Sequence, residues 1–147
     1  MDDIIREYFK GDKLAAAMNM QIETLAPGHA VVTMPVDDML MNGLNAVHGG
    51  ALFSLADFCF AVASNSHGQV AVAVNASISF FRPVLSGVLT ATARETHLGR
   101  RVAGYAVDVT DASGALVATM QGVVYRKKDS IESIVEKRRA NHSDTTV

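Results

Sequence analysis

The chain has 147 residues, 49% of them apolar, enough for one packed domain and too few for two. Thirteen Lys and Arg against fifteen Asp and Glu leave a formal charge of −2, so no whole-molecule field favours nucleic acid or an anionic membrane, and a small-molecule partner is expected. The single cysteine, Cys59, excludes a disulfide framework, fits a reducing compartment, and lies in an apolar run as a small buried hydrophobe would.

The charged start MDDIIREYFKGDK lacks the basic-then-apolar layout of a signal peptide. The longest apolar run, residues 51–63, is interrupted by Asp57 and is shorter than the roughly 20 residues of a membrane span, so a cytoplasmic protein without a membrane partner is expected. Ile4, Ile5, Tyr8, Phe9 and Leu14, with Gly11 as a break, predict a short amphipathic helix within residues 2–17, packed on the outside. MQIETLA and HAVVTMPV flank Pro27-Gly28 and read as a hairpin. Residues 37–47 show no period and carry Asn42, Gly43 and Asn45, which predicts a functional loop. HGGALFSLADFCFAVASNSHG follows, apolar on every side in its middle, as in a helix buried all round, with Gly68 as its stop.

The second half changes to a period of two. In VAVAVNASISFF, Val70, Val72, Val74, Ala76, Ile78 and Phe80 share one face and Asn75, Ser77 and Ser79 the other, up to Arg82-Pro83. GVLTATARETHL, RVAGYAVDV and ALVATMQGVVYRKK give three more strands, separated by turns at Leu98–Arg101 and Asp111–Gly114. From Lys128 onward a small apolar patch at Ile131, Ile134 and Val135 precedes polar residues, which predicts a frayed or loosely docked tail. A hairpin, one long helix and four antiparallel strands make a single α+β domain over 1–147, its sheet curled around a central helix, with a core over about 15–127 and a loosely ordered tail at 128–147. Edge strands and the outer sheet face remain available for pairing with a second subunit.

The chemistry concentrates at His48-Gly49-Gly50 and Asp57. Unpaired N–H groups at a helix start carry positive potential and can hold a carbonyl oxygen as it becomes an oxyanion, and glycines there let a substrate approach. The alternative is that the two glycines only permit a tight turn into the helix. Asp is a poor interior helix residue and an unpaired buried carboxylate costs several kcal/mol, so Asp57 either has a partner from a distant strand or works as a base. An apolar setting raises a carboxyl toward the range useful for a base. Eight residues separate Gly49 from Asp57, about 12 Å along a helix. One carbonyl carbon cannot touch both at catalytic distance, so if both act on one substrate, the amide comes from one subunit and the carboxylate from another.

The run from Asn42-Gly43 through His48-Gly49-Gly50 to Asp57 resembles the phenylacetic-acid-degradation branch of the hotdog thioesterases, as do FFRPV at 80–84, HLGRRVAGYAVDVTD at 97–111 and GALVATMQGVVYRK at 114–127. The resemblance implies a hotdog fold, dimers that pair into tetramers, and hydrolysis of acyl-CoA thioesters, with aromatic acyl groups of the phenylacetyl or hydroxyphenylacetyl type among the candidates. It implies no metal and no prosthetic group, coenzyme A being part of the substrate. By position Asp57 matches the family's catalytic carboxylate, Gly49 its oxyanion-binding amide, and Asn42 and His48 its supporting polar residues, although His48 also suits a helix cap and Asn42 a loop turn. A water-positioning residue on the following strand falls on Asn75 or Ser77. Arg82, Arg100 and Arg101 suit the phosphates of coenzyme A or are solvated surface charges. Two other readings share the fold, a hydratase or dehydratase that leaves the thioester intact and an acyl-CoA-binding module without turnover.

Overall fold

The computed structural model describes residues 1–145. The N-terminal segment forms two helices, α1 (Asp2–Phe9) and α2 (Lys13–Ala17), rather than one. The break falls at Gly11, after which Asp12 caps α2 by accepting the Ala15 N–H at 2.9 Å. β1 (Gln21–Ala26) and β2 (His29–Pro35) pair as a hairpin across Pro27-Gly28. Gly28 has φ +71°, and a Cβ there would stand 3.0 Å from Glu95, so conformation and space both require glycine. A 3-10 turn, Asp38–Leu40, opens the expected loop and leads into α3 (Gly49–Asn65). The chain then runs through β3 (Gln69–Phe80), β4 (Val88–Leu98), β5 (Val102–Thr110) and β6 (Leu116–Ser130) to α4 (Ile131–Ser143).

All six strands form one antiparallel sheet in the order β1-β2-β4-β5-β6-β3, with α3 against one face: the hotdog arrangement of a sheet around a central helix. Leu55, Ala56, Cys59, Val62 and Ala63 are fully buried along the helix. The Cys59 thiol lies 3.4 Å from both the Ala30 and Ala91 carbonyls, and burial pushes it up to about 12, so it is packing and no nucleophile. α3 sits close to the sheet because Gly122 leaves room for the Phe60 ring, which an added Cβ would meet at 2.6 Å. The helix is not buried all round. Phe53, Ser54, Asp57 and Ala61 form a half-buried stripe at helical spacing, covered in part by α2.

Two further expectations change. β3 lies at the sheet edge, and its register shifts between Ala73 and Asn75, so the even-numbered apolar residues do not share one face throughout. Val72, Val74 and Phe80 are exposed there. The tail expected to be frayed or loosely docked is, over its described residues 128–145, mostly the end of β6 and a capped, docked helix: Ser130 accepts the Ser133 N–H, and Ile131 and Val135 are buried, while residues 146–147 lie outside the described residues. α4 docks on α1 through an Arg139–Glu7 ion pair and an Arg138 guanidinium 4.9 Å above the Tyr8 ring. Apolar residues at 131, 134 and 135 fall on one helical face, and α1 supplies the surface that covers them.

Candidate active site

The loop before α3 is strapped to the helix start. His48 N–H donates to Leu40 O at 2.7 Å, and Met41 bridges Val47. Inside it the Asn42 side-chain carbonyl accepts from Leu44 N–H at 2.9 Å and Ala46 N–H at 3.2 Å, while Asn45 adopts a left-handed φ of +58°. Within one chain Asn42 therefore shapes the loop.

His48 is the N-cap of α3, its Nδ1 accepting the Gly50 N–H at 2.8 Å, an arrangement that needs Nδ1 unprotonated. Ala51 and Leu52 donate to His48 O at 2.9 and 3.2 Å. Gly49 N–H is thus left, among the described residues, as the first-turn amide with no acceptor. A Cβ at Gly49 would meet the Phe80 ring at 3.5 Å, so the amide lies beside the end of the exposed β3 edge.

Asp57 sits two turns further along, with no hydrogen bond and no ion pair among the described residues. It lines a depression of about 210 Å³ whose walls are Leu14, Met20, Phe53 and Phe58, with Asp12 at the rim. Burial raises its carboxyl above the ordinary aspartate range, and the neighbouring Asp12 charge adds to the effect. An adjoining hollow of about 320 Å³ shares Leu14 and Ser54 with it and reaches His48 and Gly50. A groove therefore runs beside α3 from its start to the carboxylate.

The model of the thioesterase superfamily matches residues 44–118, from the loop through α3 into β6. The acyl-coenzyme A thioesterase PaaI of Escherichia coli K12 is 40% identical over 119 residues, covering 80% of this chain and 85% of that protein. The chain belongs to the thioesterase superfamily.

Solved structures place this thioesterase-superfamily chain on the same fold. The E. coli PaaI protein from the phenylacetic acid degradation operon superposes with a TM-score of 0.81 at 36% identity, covering 86% of this chain and 98% of that one. A mutant of the phenylacetic acid degradation protein PaaI from Thermus thermophilus gives 0.74 at 40% identity, covering 78% and 98%.

The remaining candidate residues separate into distinct places. Asn75 and Ser77 pair with Val123 and Gln121, whereas the intervening Gly122 faces α3, so both point away from the helix. They line an outer-face depression of about 370 Å³ with Arg94, Thr96 and Gln121, and neither lies beside the chain's own Asp57. Arg82, past the end of β3, lies 3.9 Å from Asp111. Arg100 and Arg101, at the opposite end of the sheet, join Arg126, Lys128 and Gln69 around a cleft of about 330 Å³ lined by no carboxylate. Arg126 and Lys128 were missed as site residues, because they read as the end of a strand; the run YRKK was their signal. Arg126 is fixed by Gly99 O at 3.0 Å and Arg101 by the Tyr125 hydroxyl at 3.2 Å.

A second polar cluster lies at the far end of α3. His67 Nε2 and the Tyr105 hydroxyl both meet Glu95 Oε2, at 2.7 and 2.5 Å. Burial works to raise the Glu95 carboxyl, but the Tyr105 and His67 hydrogen bonds and nearby charges outweigh it and hold it low. This cluster ties the end of the helix to β4 and β5. Among the described residues no group of three or more His, Cys, Asp or Glu is arranged to hold a metal, and no helix is long and apolar enough to cross a membrane.

Proposed function

We propose that the chain hydrolyses acyl-CoA thioesters to the free acid and coenzyme A. The observation that carries this reading is the pair of unsatisfied groups on one helix: a Gly49 N–H without an acceptor and an Asp57 carboxyl without a donor. The thioester oxygen rests on the Gly49 amide while Asp57 either takes a proton from water attacking the carbonyl carbon or attacks it directly. The C–S bond breaks, the thiolate leaves as coenzyme A and is protonated, and water supplies the acid's second oxygen. His48 holds the helix start and Asn42 the loop, so both support the amide. The balance closes without a further cofactor.

The two groups belong to one straight helix, about 12 Å apart along its axis. A shared site between two copies resolves that separation. Support comes from β3, an edge strand of twelve residues without one charge, with Val72, Val74 and Phe80 exposed. Natural edge strands are normally guarded by lysine, proline or a covering element, and this one is built to pair. Antiparallel pairing of two such edges about a two-fold axis brings Phe80 and Gly49 of one copy toward the basic cleft of the other. Arg82, Arg100 and Arg101, with Arg126 and Lys128, then hold the coenzyme A phosphates, and dimers pair into tetramers in the cytoplasm. Leu14, Met20, Phe53 and Phe58 give the Asp57 depression an apolar lining suited to an aromatic acyl group of the phenylacetyl or hydroxyphenylacetyl type.

A panel of aromatic and straight-chain acyl-CoAs assayed for thiol release tests the reading, with release from at least one expected. Water addition to an enoyl-CoA without thiol release would overturn it in favour of a hydratase, and binding without turnover in favour of a carrier module. In the same assay, Arg126→Ala and Lys128→Ala are expected to raise KM for acyl-CoA about tenfold, from the loss of a charge-assisted contact of about 1.5 kcal/mol, and to leave the same acyl thioester of pantetheine unaffected.

A further inference from the structure

The depression around Asp57 holds a second carboxylate that hydrolysis as described does not use. Asp12 lines it together with Asp57 and is, among the described residues, the only other titratable group that does. It reaches the site from the N-terminal segment, outside residues 44–118, and its orientation is fixed by the bond from Ala15 N–H to Oδ1 at 2.9 Å. The charged groups on neighbouring elements stand elsewhere. Arg6 of α1 and Lys10 just after it line the adjoining depression that Asp12 also borders, and Arg6 donates to Ile22 O at 2.8 Å. Lys13 is exposed on α2, Glu23 of β1 accepts from Thr33, and His48 caps the far end of the groove. Among the described residues, no cation lines the depression that Asp57 and Asp12 share.

We propose that Asp12 is a positioning residue for the reaction: its carboxylate, fixed by the α2 cap, faces Asp57 across their shared depression and governs when Asp57 acts as a base. A carboxyl in an apolar hollow holds its proton more tightly when a second carboxylate charge stands beside it. Asp12 has the Ala15 amide and the α2 cap position, and Asp57 has no donor. Burial and the Asp12 charge beside it in the shared depression therefore make Asp57 keep its proton to higher pH. The N-terminal segment thus sets the working pH of a site whose reacting groups lie in the helix.

This inference rests on Asp57 being the base, and its test separates the two. Asn caps a helix as well as Asp, so Asp12→Asn removes the charge and keeps the cap, whereas Asp12→Ala removes both. In the full-length protein, ¹³C titration of the Asp57 carboxyl, assigned by its loss in Asp57→Asn, is expected to move to lower pH in both Asp12 variants. The acid limb of kcat/KM for thiol release is expected to move with it, the plateau staying within about twofold in Asp12→Asn, and added salt is expected to shift the wild-type limb the same way. An unmoved Asp57 titration in Asp12→Asn, or a lowered plateau with an unmoved limb, would overturn the proposal. If the titration moves while no acyl-CoA releases thiol, the carboxylate coupling stands and the hydrolase reading fails.

Discussion

Asp57→Asn is expected to lower kcat for thiol release by about 10²–10⁴-fold, the range that a positioned general base contributes, while leaving the fold intact. The amide matches the carboxylate in size and loses the lone-pair basicity that either proposed route requires. The same substitution is expected to stabilise the protein at neutral pH, by about 0.5–2 kcal/mol. Burial holds the folded-state carboxyl above its unfolded value, so the folded chain binds that proton more tightly than the unfolded one. The penalty is absent in acid, where both states are protonated, grows as pH rises through the window between the two values, and is full above it. Melting curves of wild type and Asp57→Asn should therefore diverge at pH 7 and converge in acid; equal melting at both would show a carboxylate satisfied by a hidden donor.

Gly49→Pro is expected to cost about 10²–10³-fold in kcat by deleting the proposed oxyanion donor, with the fold retained. Proline is favoured at the first position of a helix, where its missing N–H breaks no helical bond. His48, the preceding residue, already has φ −60° and ψ 136°, the extended conformation that proline demands of its neighbour. A Cβ at this position meets Phe80 at an ordinary contact distance. Gly49→Ala, which adds the methyl and keeps the amide, serves as the control and should lose less than Gly49→Pro. Steady-state thiol release from the two variants, beside their melting temperatures, separates the donor from the space around it.

How much of this was legible in the sequence depends on range. The central helix announced itself through its apolar run, and Asp57 stood out because a charge in such a run needs a reason. The Gly28 turn and the Gly68 stop were readable because each needs a left-handed φ, +71° and +84° here. The alternation in VAVAVNASISFF declares a strand, but a period of two cannot reveal the register shift between Ala73 and Asn75, nor tell the buried Val70 from the exposed Val72 and Val74. The α4 helix was hidden for a different reason. Ile131, Ile134 and Val135 have helical spacing, yet their burial depends on α1, more than a hundred residues earlier. Asp12 likewise carried no local signal beyond a helix cap; only the fold sets it beside Asp57. The basic cleft needed β3, β6 and the β4–β5 turn to bring Gln69, Arg126, Lys128, Arg100 and Arg101 together.

Division of the site between two chains is tested most directly by mixing subunits. Asp57→Asn and Gly49→Pro proteins, each nearly inactive alone, are unfolded together and reassembled in equal amounts. If one chain's carboxylate works on a carbonyl held by the other chain's amide, half of the dimers are mixed, each with one intact site, and about a quarter of wild-type thiol release returns. If both groups act within a single chain, every site in the mixture remains defective and activity stays at the level of the separate variants.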